Sequence, residues 1–189
     1  TPSTAITTTF AAGNGSAGNM FVVSALNTIT ITALDGHMTT GTATWEIWGR
    51  PGRYDLIPGS QTSNVGWTLL GTAANVPAAG LGLPTVLPIP LNVTIADGTD
   101  YSFYVTTTGP TLNYTNGTAI YTPFITNSDF IFREGHGGGY YAVTIATRIW
   151  NGRIHYSAGC GSARTPVIGV ITPAPLVSVT SSNNVCVSG

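Results

Sequence analysis

The sequence predicts an all-β protein, an antiparallel β-sandwich of jelly-roll or Greek-key type with about ten short strands. Three observations carry this. β-Branched and aromatic residues recur with period two, the spacing that places alternate side chains on opposite faces of a strand. Glycine (24) and proline (12) punctuate the whole chain. No window sustains the i, i+3, i+4, i+7 apolar stripe that would mark an amphipathic helix.

The elements follow in chain order. Ala5–Phe10 and Met20–Val23 read as short strands. In Asn27–Ala33 isoleucines alternate with threonines, so Ile29 and Ile31 face a core and the hydroxyls face water. Ala43–Trp48 puts Trp45 and Ile47 on one side, with Glu46 and Trp48 on the other. Arg50-Pro51-Gly52 and Ile57-Pro58-Gly59 frame a loop, Trp67–Thr72 is a further strand, and Ala78–Pro84 is a loop apolar enough to pack on a neighbour. Thr85–Leu91 is a weak strand, Ala96-Asp97-Gly98-Thr99 a turn, and Tyr101–Thr106 a strand with Tyr101, Phe103 and Val105 inward. Ala119–Phe124 and Phe130–Arg133 are weaker strands, and Gly135–Gly139 is read as a hairpin tip. Arg148–Tyr156 reads as one strand, alternating Trp150, Ile154 and Tyr156 against Asn151, Arg153 and His155.

Only 7% of the 189 residues are charged, against roughly 25% in ordinary soluble proteins. All basic residues are arginine, and the net charge of −1 leaves no strong attraction to nucleic acid or anionic lipid. The surface must then consist of Thr, Ser, Asn and Gly, a composition typical of exported proteins, so the expected location is extracellular or on the cell surface. No run reaches the roughly 20 apolar residues of a membrane helix. Residues 1–156 are expected to form the sandwich, with Thr1–Thr4 as the tail of an upstream linker. Residues 157–175 hold a closing strand, Arg164–Ile171, and a stiff spacer, Thr172-Pro173-Ala174-Pro175. Residues 176–189 open with another alternating run, Leu176–Thr180, expected to be the first strand of a following domain or a strand donated to a neighbour. Cys160 and Cys186 could bridge to one another in an oxidising compartment or pair elsewhere.

Residues that carry chemistry are sparse. His37, His136 and His155 fall at turn or outward strand positions, and no G-x-S-x-G elbow accompanies them. Seven acids, mostly isolated in turns, give no clear carboxylate pair for glycoside hydrolysis. No cofactor is expected; Asp97, Asp100 and Asp129 are the candidate oxygen ligands for calcium, against the simpler role of capping turns. No zinc spacing occurs, and the glycines at 135–139 lack the lysine and helix of a phosphate loop. Aromatic side chains make the best binding hypothesis: Trp48, Tyr54, Trp67, Tyr140 and Tyr141 would stack sugars if two or three stood exposed together.

Several segments carry a family resemblance. Thr7–Phe21, Tyr114–Thr118, Arg133-Glu134-Gly135 and Arg148–Tyr156 together resemble a β-sandwich module of giant surface adhesin and filament proteins of Bacteroidota, exported by the type IX system. Gly159–Val167 is similar to the closing strand of the immunoglobulin-like repeats in such proteins, and Leu176–Gly189 to the opening of the next repeat. The resemblance implies a non-catalytic structural or adhesive module. Its partners would be neighbouring domains, identical subunits and surface glycans, and a sandwich in series would resist extension. A carbohydrate-binding module is the competing expectation, because the same architecture serves both tasks.

Overall fold

A computed structural model describes residues 4–159. The strands run β1 (Thr4–Thr7), β2 (Asn14–Ser16), β3 (Gly18–Ala25), β4 (Ile29–Gly36), β5 (Thr42–Pro51), β6 (Thr68–Pro77), β7 (Thr85–Val86), β8 (Val93–Ile95), β9 (Asp100–Thr108), β10 (Leu112–Asn116), β11 (Pro123–Thr126), β12 (Phe130–Gly139), β13 (Ala142–Trp150) and β14 (Arg153–Ala158). One 3₁₀ turn, Tyr54–Leu56, interrupts the β5–β6 loop. The protein is all-β, as the sequence pattern requires. Two antiparallel sheets pack face to face. The smaller is ordered β1-β14-β4-β7, with β8 also on β4; the larger is β2-β10-β13-β12-β3-β9-β5-β6, with β11 beside the first half of β12.

The inner faces interlock as the alternation demands. From the large sheet come Phe21, Trp45, Phe103, Phe132 and Trp150, and from the small sheet Ile29, Ile31, Leu34 and Ile154, all fully buried. Phe21 sits at the centre, stacked 4.9 Å from Trp150 and 5.6 Å from Phe103. The segment after β7 buries Leu87, Ile89 and Leu91 while Pro88 and Pro90 point outward. The expected Thr85–Leu91 strand therefore pairs only at Thr85–Val86, because proline has no N–H to give a ladder.

Two expectations need correction. Arg148–Tyr156 is two strands in different sheets. Trp150 ends β13 in the large sheet, and Ile154 pairs with Leu34 in the small one. The crossing at Asn151–Gly152 depends on glycine: a Cβ at Gly152 would collide with the Asp35 carbonyl and the Trp150 ring. Likewise Gly135–Gly139 forms the second half of β12, paired with Met20–Gly18 on one side and with β13 on the other. Its glycines serve close approach, since a Cβ on Gly137 would lie 2.8 Å from the Tyr114 ring. The hairpin tip falls instead at Tyr140–Tyr141, where Tyr141 takes φ of 44°.

Register also fixes where the chain enters and leaves. Thr4 pairs with Tyr156 and Thr7 with Arg153, so β1 starts where β14 ends. Gly159 N–H donates to the Thr28 carbonyl at 3.0 Å, beside the first residue of β4. Both ends of the described chain therefore lie at one pole of the sandwich. The far pole, about 23 Å away along eight-residue β4, carries the β4–β5 loop, the loop after β6 and the turn before β10. The sandwich itself extends to Ala158. The closing strand, the proline spacer, the Leu176–Thr180 strand and the Cys160–Cys186 bridge all lie outside the described residues.

Candidate functional site

The motif segments are drawn together by polar side chains. Asn151 accepts the Ala12 N–H at 3.0 Å and, through Nδ2, donates to Thr115 Oγ1 at 3.0 Å and to the Ile149 carbonyl at 3.2 Å. Residues far apart in sequence (12, 115 and 151) thus share one fully buried amide. Glu134 plays the same part for the chain after β10. Its buried carboxylate accepts the Thr118 N–H at 2.5 Å and the Ala119 N–H at 3.2 Å, and a Cβ on Gly117 would strike it. Arg133 donates to Ser24 Oγ at 2.6 Å and to the Tyr121 carbonyl at 3.1 Å. The Tyr121 ring lies between the guanidiniums of Arg53 (3.6 Å) and Arg133 (4.1 Å), and its hydroxyl donates to Asp100 at 2.7 Å.

A second cluster occupies the outer face of the large sheet. Met20, Val22 and Tyr104, on strands whose opposite residues fill the main core, meet Tyr54, Trp67 and Val143 there. The loop over residues 52–67 is the lid. Tyr54 N–H donates to Ser102 Oγ at 3.0 Å, Ser60 Oγ to the Tyr54 carbonyl at 2.6 Å, and Trp67 Nε1–H to the Ser60 carbonyl at 2.8 Å. The Tyr54 hydroxyl accepts the His136 N–H at 3.0 Å and lies 2.7 Å from His136 Nδ1. Desolvation lowers the His136 pKa, with Asp55 opposing weakly, and desolvation pushes the Tyr54 hydroxyl far above its usual value.

Of the five aromatic candidates, Tyr54 (1% exposed) and Trp67 (7%) are core residues. Both faces of β9 are covered, which the inward reading of Tyr101, Phe103 and Val105 alone does not include. Trp48 and Tyr141 are half-buried, and Tyr140 alone of the five is well exposed, at 47%. These three do not form a flat platform: Trp48 meets Tyr141 at 74° and Tyr140 meets Tyr141 at 83°. Glu46 belongs with them, and the sequence reading omits it. Its Oε2 accepts Trp48 Nε1–H at 2.9 Å and the Tyr140 hydroxyl at 3.1 Å. The period-two spacing of Glu46 and Trp48 shows one of these contacts in advance; the partner ninety-odd residues away leaves no local signal. Burial first, then the neighbouring Tyr140, Tyr104 and Glu46, raise the Tyr141 hydroxyl.

The three calcium candidates do not converge. Asp100 accepts from Ser24 Oγ at 2.5 Å and from Tyr121, Asp129 accepts the Tyr156 hydroxyl at 2.9 Å, and Asp97 sits in the turn whose N–H reaches Thr28. Among the described residues no three His, Cys, Asp or Glu side chains are grouped to hold a metal ion. His37 lies in the loop after β4 and His155 on the outward face of β14, as expected, though each has a polar partner. His37 is buried, with Nε2 accepting the Gly82 N–H at 3.0 Å, and desolvation lowers its pKa. His155 pairs with buried Asp35 at 2.9 Å. Among the described residues the histidine side chains hydrogen-bond Tyr54, Gln61, the Gly82 N–H and Asp35, not a serine or cysteine side chain.

The fold and these contacts define an antiparallel sandwich in which the motif residues hydrogen-bond distant parts of the chain to one another. No protein-family model matches the chain. No curated protein matches it either.

Proposed function

We propose that this chain is a non-catalytic structural or adhesive module of a large extracellular protein, of the kind that builds surface filaments or appendages in type IX-exporting Bacteroidota. The observation that carries the reading is where the distinctive residues are spent. Asn151, Glu134, Arg133, Tyr121, Tyr54 and Trp67 all hold one part of the chain to another. The nearly uncharged surface supports close lateral packing of subunits without charge repulsion.

The positions of residues 4 and 159 refine the mechanical expectation. Tension applied between residues 4 and 159 would act at one pole, on neighbouring strands β1 and β14. It would unzip them one hydrogen-bonded pair at a time instead of shearing a ladder. A module of this design hangs from its array as a side lobe and need not carry tension along it.

The competing reading, a carbohydrate-binding module, retains one specific feature, exposed Tyr140 beside Glu46. A glycan array probed with the full chain separates the two. The structural reading expects no saccharide whose binding is abolished by both Tyr140→Ala and Glu46→Gln. A saccharide bound by the native chain and lost in both variants would replace it with the glycan reading.

A further inference from the structure

The loop over the outer face of the large sheet has the build of a flap. Residues 52–67 join β5 to β6, and a glycine with φ of 73° stands near each end, Gly52 and Gly66. Between them the loop is tied to itself. Ile57 N–H donates to the Tyr54 carbonyl at 3.0 Å, Ser60 N–H to the Ile57 carbonyl at 3.2 Å and Trp67 N–H to the Asn64 carbonyl at 3.0 Å. Its fastenings to the sheet are fewer. Tyr54 N–H reaches Ser102 on β9 beside Gly52, and Val143 N–H on β13 donates to the Gln61 carbonyl at 3.0 Å. The others meet at His136 on β12. Its backbone N–H and Nδ1 both contact the Tyr54 hydroxyl, and Gln61 Nε2 lies 3.1 Å from each ring nitrogen.

Of these fastenings only the imidazole titrates near neutral pH. The Tyr54 oxygen already accepts the His136 backbone N–H, so its own proton goes to Nδ1, which must be unprotonated to take it. A second proton on the ring turns Nδ1 into a donor. The Tyr54 oxygen then faces two N–H groups, its proton loses its acceptor, and a charge sits beneath the lid. The surroundings do not compensate. Glu134 is spent on the Thr118 and Ala119 N–H groups, and Asp55 is paired with Arg53. Desolvation holds the ring's pKa down, and Asp55 opposes it only in part. Arg53 on the lid, Arg133 on β12 and Arg148 on β13 repel a further positive charge. Tyr54, Tyr104 and Tyr141 are phenols whose pKa burial raises, so they stay neutral, and β3 supplies no titratable group.

We propose that residues 52–67 form an acid-released lid: protonation of His136 breaks its bond from Tyr54, and the loop swings on Gly52 and Gly66 to uncover the Tyr54, Trp67 and Tyr104 face of the large sheet. The inference goes beyond the structural reading and does not depend on it. Linkage sets sign and size. With the lid open the ring titrates near its free value, about 6.5, so each pH unit below that favours opening about tenfold until the closed ring is itself protonated.

The test is amide exchange of the full chain at about pH 7.5 and about pH 5, corrected for intrinsic rates. The Ile57, Ser60 and Val143 amides should lose about tenfold or more in protection at the lower pH, while those of β4 and β14 keep theirs. His136→Gln should abolish this loss, and His37→Gln should keep it. Asp55→Asn leaves the ring in place and removes the opposing charge, so it should enlarge the loss. An apolar dye should bind reversibly at the lower pH to the native chain and not to His136→Gln. Equal lid protection at the two pH values overturns the proposal. So does a loss shared by β4 and β14, a loss that survives in His136→Gln, one no larger in Asp55→Asn, or lid exchange without dye binding. If His136→Gln does not fold, the Asp55→Asn comparison decides.

Discussion

The two faces of the large sheet are both buried, but they are buried by different means. The inner face meets another sheet, and its residues (Phe21, Trp45, Phe103, Trp150) interlock with those of β4 and β14. The outer face is covered by an irregular loop whose own carbonyls and hydroxyls tie down Tyr54 and Trp67. The first cover is made by side-chain packing along regular strands. The second depends on a few hydrogen bonds within a single loop. It turns aromatic residues that resemble a binding platform into a second core, and its rim, Glu46 with Trp48 and Tyr140, reaches solvent.

The difference has energetic consequences. Trp150→Ala on the inner face empties a site closed on all sides and should cost about 3–5 kcal/mol in chemical denaturation. Trp67→Ala under the lid should cost less, about 2–3 kcal/mol, because a loop relaxes into a cavity more readily than two packed sheets do. It should also speed amide exchange at Val143, whose N–H donates to the Gln61 carbonyl of the lid, before exchange rises elsewhere. Equal costs at the two sites would mean that the lid is as rigid as the sheets.

Acid should act on the lid and on the far pole. Burial holds His136 and His37 below their ordinary pKa, so the unfolded chain takes up protons first as the pH falls. Stability should be level above the unfolded histidine pKa, about 6.5, and decline below it. His136→Gln should flatten part of that decline in unfolding curves measured at stepped pH, and an unchanged profile would remove His136 from the account. The smallest effect belongs to the rim: Tyr140→Ala should alter stability by less than about 0.5 kcal/mol, and a larger loss would make the rim part of the second core.

How much of this is visible in the sequence follows the same division. Period-two alternation marks Ile29 and Ile31, Trp45 and Ile47, and Phe103 and Val105 as inward, and all six are buried. Alternation alone cannot show where a strand changes sheets. Trp150 and Ile154 keep the same apparent phase across Asn151–Gly152 although they belong to different sheets. Nor can it show that Ser102 and Tyr104, on the opposite face of β9, are covered, because the cover comes from residues roughly fifty and forty positions earlier in the chain. The glycines of β12 mislead for a related reason: they are selected by the neighbours pressing on them, which only the folded arrangement reveals.

The proposal that the chain is a structural module, a side lobe of an extracellular array, stands or falls on the native assembly. Cryo-electron microscopy of the native material carrying the chain tests it most directly. Regular filaments are expected, in which a two-sheet lobe repeats, attached by the pole that holds residues 4 and 159. Isolated monomers, or a lobe inserted lengthwise with its chain ends at opposite poles, would contradict it.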